Sequence, residues 1–146
     1  VVACTGSRGC KYAAADTKGH ALRIADHLDR AVPLDVPFNL HVTGCHHSCA
    51  QHYVGDVGLL AAKVEVGDEE VEGFRVYLGG TAGGRTGSQA FLAAAQGPAV
   101  PADQVPELLE GVLRNYLAAR ENPGESFGAF CRRVGAAAIP VEAIGT

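Results

Sequence analysis

Four of the five cysteines fall in two short clips, Cys4-Thr5-Gly6-Ser7-Arg8-Gly9-Cys10 and Cys45-His46-His47-Ser48-Cys49. Each clip follows a short β-like run, so two strand ends would present sulfur toward one point. Thiolates are soft ligands, and four of them saturate a cubane iron–sulfur cluster. Structural zinc sites favour clips of about two to four intervening residues, usually in both halves. The C-x5-C loop is long for such a knuckle and suits a bulkier guest whose metal corners stand further apart. Gly6, Gly9 and Gly44 would let backbone approach inorganic sulfide and donate N–H bonds to it, which stabilises a reduced cluster and raises its potential. Zinc stays open, because His46, His47 and His52 flank the second clip and neutral imidazoles bind zinc well. Four unrelated thiols in an alanine- and glycine-rich core are the remaining reading.

The fifth cysteine makes a disulfide framework a poor fit. Cys131 recurs with Phe127, Phe130 and Val134 at helical spacing, which predicts a small buried hydrophobe on a helix face. Clustered reduced thiols point to a cytoplasmic, metal-binding setting. At 146 residues, 47% of them apolar, the chain has the length of one packed domain and not the composition of a disordered one. A formal charge of −4 argues against a nucleic-acid partner. No apolar run approaches the ~20 residues that span a bilayer, and no secretory signal opens the sequence, so no membrane partner is expected. The chain lacks methionine and begins Val-Val-Ala-Cys, which reads as a strand entered midway in an excised segment of a longer protein.

The elements that must position the clips follow from periodicity. Val1 to Cys4 reads as a strand end. Asp16 to Arg30 places Ala21, Ile24, Ala25 and Leu28 on one helical face. Pro33 and Pro37 break the chain, and Phe38 to Thr43 alternates as a half-buried strand that Gly44 ends. Gly58 to Val66 and Gly73 to Leu78 flank a polar turn, Gly67 to Glu70, and predict a hairpin. Leu109, Val112, Leu113, Tyr116 and Leu117 stripe a helix, with Glu107 and Glu110 near its start and Arg114 and Arg120 toward its end, as the helix dipole favours. Asn122-Pro123-Gly124 stops it, the Phe127 helix follows, and an apolar tail runs from Ala136 to Ile144. Strands and helices mix without strict alternation, which predicts an α+β fold: a mixed sheet with helices packed on it. Gly79 to Gly87 is glycine-dense, a loop or a backbone that approaches a ligand closely. No Gly-Lys-Ser/Thr closes it, so it is not a nucleotide phosphate loop.

Val1-Val2-Ala3-Cys4-Thr5-Gly6…Cys10, Thr43-Gly44-Cys45-His46-His47-Ser48-Cys49-Ala50-Gln51, Gly55-Asp56-Val57-Gly58-Leu59, Tyr77-Leu78-Gly79-Gly80 and Glu125-Ser126-Phe127-Gly128-Ala129-Phe130…Arg133 together resemble the cluster-binding repeat of sirohaem-dependent nitrite and sulfite reductases. The likeness runs from residue 1 to about residue 135. It implies one domain over 1–146, excised from a multidomain reductase, that holds a [4Fe–4S] cluster and sirohaem. By position, Cys4, Cys10, Cys45 and Cys49 are the implied cluster ligands, with Cys49 also the axial ligand of sirohaem iron. Thr5, Gly44, His47, Gly79, Gly80, Thr81 and Arg85 are the implied cofactor contacts. Relatives often carry Pro-Asn where this chain has His46-His47, a place from which an imidazole could tune the cluster potential; His52 reads as structural. The implied chemistry is six-electron reduction of nitrite to ammonia or of sulfite to sulfide, with a slight lean to the ferredoxin-type nitrite branch. A ferredoxin or flavoprotein would donate electrons. The substrate-binding Arg and Lys residues would come from the remainder of the reductase, so the segment alone is expected to be inactive. A non-catalytic iron–sulfur electron-transfer module and a zinc-stabilised structural domain are the alternatives.

Overall fold

The computed structural model describes residues 1–80, 94–135 and 139. Among them a five-stranded sheet runs in the order β1 (Val2–Ala3), β2 (Leu40–Thr43), β3 (Val57–Val66), β4 (Glu69–Leu78), β5 (Ala94–Pro101). β1, β2 and β3 are parallel neighbours, and β3–β4–β5 is antiparallel. The helices are α1 (Thr17–Ala31), α2 (Val105–Ala119) and α3 (Phe127–Val134). This is the mixed-sheet α+β architecture that the periodicity predicts.

Alternation sorts the sheet into two faces. Leu40, Val42, Val57, Leu59, Phe74, Val76 and Leu78 are buried with Ile24 and Leu28 of α1 and Leu109, Val112, Leu113 and Tyr116 of α2. Each such side chain contributes about 1.5–3 kcal/mol by leaving water. Tyr116 meets Phe127 and Phe130 of α3 edge-on or tilted, at centroid separations of 5.4 and 5.3 Å, and its hydroxyl donates to the Glu125 carbonyl. Phe38, expected as the first residue of β2, stands outside it and packs on Phe127 at 5.7 Å. Cys131 is fully buried, as its spacing predicts.

α1 starts one residue after its predicted first position, because Asp16 is its N-cap and accepts from the Gly19 N–H at 3.2 Å. The hairpin is tighter than expected. Val66 pairs with Glu69, so only Gly67 and Asp68 turn, with Gly67 at φ +62°, as a two-residue hairpin that opens on glycine requires. β5, Ala94 to Pro101, has no counterpart in the sequence reading: its alanines, glycine and prolines carry no strand signal. An edge position accommodates them, and the ladder slips between Phe74 and Val76 opposite Pro98. The Ala136–Ile144 tail lies outside the described residues apart from Ile139, which is buried in the core.

The second face of the sheet is covered by a loop. Residues 44–56 join parallel strands β2 and β3 without a helix and fold back over His41 and Tyr77. His41 Nδ1 bonds the Ala50 carbonyl at 2.7 Å, and the His52 ring lies on Tyr77 with centroids 4.6 Å apart. A Cβ on Gly58 would fall 1.6 Å from the His52 carbonyl oxygen. Gly58→Ala is therefore expected to destabilise the protein by about 1–3 kcal/mol through forced displacement of this loop. Gly111→Ala, on the exposed face of α2 with nothing within 4 Å, is expected to stabilise it by about 0.5–1 kcal/mol. Urea unfolding midpoints of the two variants check both signs.

Candidate metal centre

β1 and β2 run side by side in parallel, so both clips leave the same edge of the sheet. Cys4 directly follows Ala3, and its N–H donates to the Val42 carbonyl at 3.1 Å, one step beyond the ladder pairing of Ala3 with Val42. Cys45 lies two residues past the end of β2. The first clip is a compact turn in which the Gly9 and Cys10 N–H groups both donate to the Gly6 carbonyl, at 3.1 and 2.8 Å. Gly6 takes φ +75° there, and a Cβ on it would lie 2.5 Å from Thr17 Oγ1. The second clip is a run of turns: Ser48 N–H to Cys45 carbonyl at 3.0 Å, then Gln51 N–H to Ser48 carbonyl at 2.9 Å. Ser48 and Gln51 are both left-handed, at φ 55° and 54°, conformations that side-chain-bearing residues adopt only under tertiary constraint. The constraint on Ser48 is visible, since its Oγ lies 2.8 Å from His52 Nδ1 and accepts the His52 N–H at 3.3 Å.

Gly44 laces the two clips together. Its N–H donates to Cys4 Sγ at 3.2 Å, and its carbonyl accepts from the Ala14 N–H at 2.9 Å. A Cβ there would sit 2.7 Å from the Ala13 Cβ. Tyr12, just past the first clip, meets His47 of the second edge-on at 5.4 Å. Cys4, Cys10 and Cys45 are half-buried, Cys49 is exposed, and all are free thiols. Burial pushes the Cys4 thiol up, but hydrogen bonding with the Thr17 and Thr43 side chains and the Gly44 and Gly6 backbone outweighs it and holds Cys4 below the usual thiol range. Desolvation pushes buried Cys131 up to about 12. It therefore persists as a neutral core thiol.

Among the described residues, no three His, Cys, Asp or Glu side chains lie close enough to share one metal ion. In type, the donor set suits a thiophilic centre such as an iron–sulfur cluster: four thiols on two adjoining turns, with the Gly44 N–H directed at the Cys4 sulfur. His52 Nδ1 faces Ser48, and its ring meets Tyr53 and Tyr77 edge-on. Burial also lowers its pKa. His47 Nδ1 stands 3.5 Å from Cys45 Sγ.

Of the other expected contacts, Thr5 is exposed on the first clip. Gly79 and Gly80 are buried, and their close approach is to the second clip's loop. The Gly79 N–H donates to the Asp56 carbonyl at 2.9 Å, and a Cβ on Gly80 would lie 2.5 Å from the Gly55 carbonyl oxygen. Thr81 and Arg85 lie outside the described residues. Arg8 pairs with Asp16 at 3.2 Å, and exposed Lys11 stands over the Tyr12 ring at 5.1 Å. Thr17 and Ser48 escaped the sequence reading, although Thr17 follows a recognisable helix N-cap.

Residues 1–139 match the protein-family profile described as "Nitrite and sulphite reductase 4Fe-4S domain". The chain is 38% identical over 112 residues to the ferredoxin–nitrite reductase of Synechococcus elongatus, covering 77% of this chain and 21% of that protein. It is 33% identical over 138 residues to sulfite reductase [ferredoxin] 1 of Mycolicibacterium paratuberculosis, covering 90% of this chain and 24% of that protein. The solved structure of the Mycobacterium tuberculosis NirA protein superposes with a TM-score of 0.78 at 30% identity, over 90% of this chain and 24% of that one. The chain thus spans about a quarter or less of these relatives' length.

The two extremes of thiol environment give a pH prediction. A thiol whose folded pKa is raised adds stability below its unfolded pKa, near 9.0, and loses it as pH climbs toward the folded value of about 12. The urea midpoint of the metal-free protein is expected to fall across that alkaline window, and Cys131→Ala is expected to flatten the decline. An equal decline in both proteins would assign the alkaline loss to another group.

Proposed function

The chain belongs to the nitrite and sulphite reductase 4Fe-4S domain family, and we propose that residues 1–146 form the part of such a reductase that carries the cluster next to sirohaem. The observation that carries this reading is the lacing of the clips: adjacent parallel strands deliver Cys4 and Cys45, and the Gly44 N–H bonds the Cys4 sulfur. In this reading Cys4, Cys10, Cys45 and Cys49 hold the [4Fe–4S] cluster, and Cys49 also ligates sirohaem iron. When bound, the two groups would supply one-electron storage and a site for six-electron reduction of nitrite or sulfite.

The chain's own residues then divide the work. Cys4, Cys10 and Cys45, half-buried on tied turns, fix the position of the cluster. Cys49 is the exposed thiol of the four, so it would be accessible to sirohaem iron. His47, 3.5 Å from Cys45 Sγ, is placed to act on that sulfur. Thr5, Gly79, Gly80, Thr81 and Arg85 remain the proposed contacts to sirohaem, with N–H, hydroxyl and guanidinium groups suited to carboxylates. Basic residues for the anionic substrate come from other parts of the reductase. The named relatives accept electrons from ferredoxin and reduce either nitrite or sulfite, so a ferredoxin-type donor is proposed here, in a reducing compartment such as the cytoplasm, with nitrite as the first substrate to assay. No helix among the described residues is long and apolar enough to cross a membrane.

Protein loaded with iron and sulfide without oxygen is expected to bind about four iron per chain and to show broad cluster absorption. Serine at Cys4, Cys10 or Cys45 should remove most of that iron, whereas Cys131→Ala should keep it. Preferential zinc uptake with no visible band would overturn the reading. Within the sirohaem-loaded reductase, Cys49→Ser is expected to abolish the cluster–sirohaem coupling seen in the electron paramagnetic resonance spectrum; unchanged coupling would refute the bridging role.

A further inference from the structure

Thr17 is the first residue of α1, and its side chain is wholly buried. Its hydroxyl donates to the Cys4 carbonyl at 2.8 Å and lies 3.5 Å from Cys4 Sγ. That hydroxyl has one proton and two claimants. While the sulfur keeps its own hydrogen, S–H can donate to Oγ1 and O–H to the carbonyl, and every group is satisfied. Once the sulfur ligates metal its hydrogen is gone, and an oxygen lone pair would face a thiolate. The hydroxyl proton is then drawn toward sulfur, because a hydrogen bond to a charged acceptor is the stronger one.

Thr17 cannot retreat from this position. Gly6 closes one side, where any Cβ would meet Thr17 Oγ1 at 2.5 Å and Thr17 N at 2.8 Å. On the other side Asp16 is held three times: its N–H donates to Glu72 Oε1 at 3.2 Å, its carboxylate caps Gly19 at 3.2 Å, and Arg8 pairs with it at 3.2 Å. The Gly44 N–H reaches the same sulfur from β2's end at 3.2 Å. Cys4 is thus approached by donors from two separate elements.

We propose that Thr17 is a positioning residue of the cluster: its hydroxyl orients the Cys4 sulfur and, together with the Gly44 N–H, withdraws charge from it, so that the cluster is easier to reduce than it would be without the hydroxyl. Hydrogen bonds to ligand sulfur favour the more negative, reduced state, and that sets the sign. The inference rests on Cys4 being a cluster ligand.

The test compares iron- and sulfide-loaded unsubstituted protein, Thr17→Val and Thr17→Ser by redox titration followed by electron paramagnetic resonance, with iron counted in each sample. Thr17→Val, which keeps the shape and removes the hydroxyl, is expected to shift the midpoint to a more negative value. Thr17→Ser should hold it at the unsubstituted value. Reduced iron loading in Thr17→Val alone, with full loading in Thr17→Ser, would also support the role, because it would show that the hydroxyl holds the sulfur. Equal midpoints and equal iron in all three proteins would overturn the inference and leave the cluster reading intact, as would matching losses in both variants, which would indicate packing alone. Absence of any cluster signal from the unsubstituted protein would remove the reading itself.

Discussion

The parallel pairing of β1 with β2 is the constraint on which the rest depends. Two parallel neighbours end on the same edge, so the turn that follows each must share space with the other. An antiparallel pair would have sent the clips to opposite ends of the sheet. The ladder here is short, with Val2 against His41 and Ala3 against Val42. It is extended past its last pair by the Cys4 N–H bond to Val42 and then by the Gly44 N–H bond to the Cys4 sulfur. The sulfur thereby takes the place of the next ladder acceptor. Helix α1, the crossover between β1 and β2, starts at the same edge and places Thr17 beneath Cys4.

A second consequence is the path of residues 44–56. Parallel strands need a long connection, and here it lies over the sheet face opposite the helices. Backbone then approaches backbone at Gly58 and Gly80, where a Cβ would come within 1.6 and 2.5 Å of a carbonyl oxygen, and Gly55 lies against the His41 ring, which a Cβ would meet at 2.6 Å. Ser48 and Gln51 in left-handed conformation cost about 1 kcal/mol or more each, offset by the Ser48–His52 bonds and the edge-on contact of His52 with Tyr77. The exposed Cys49 lies between those two residues. Its position is therefore set by contacts on either side of it and not by its own burial.

The cofactor class was far easier to read in the sequence than the contacts that support the clips. Cysteine spacing and the words around it announced a shared cofactor, and alternation announced β2 to β4. Cys131 was separable from the others because its neighbours recur at helical spacing. What the sequence hid was set by tertiary contact. β5 is stabilised by its edge position and not by its residue types. Gly58 looks like any strand glycine until the His52 carbonyl is placed against it. Thr17 looks like ordinary first-turn threonine, and only the packing of α1 against the first clip turns its hydroxyl toward sulfur.

The unequal environments of the thiols follow from the same geometry. A thiol at the root of its strand, such as Cys4, is reached by backbone and helix and has hydrogen-bonding partners on both sides. A thiol at the far side of the second clip, such as Cys49, lies beyond the strand ends and is exposed. In the proposed reading, a centre that accepts electrons on one side and hands them on at the other would use that asymmetry. Deep donors would favour the reduced state, and an outlying sulfur would stay accessible to a second group. Were all four thiols held as Cys4 is, none would be left free to reach a second cofactor; were all exposed as Cys49 is, the potential would be left to solvent.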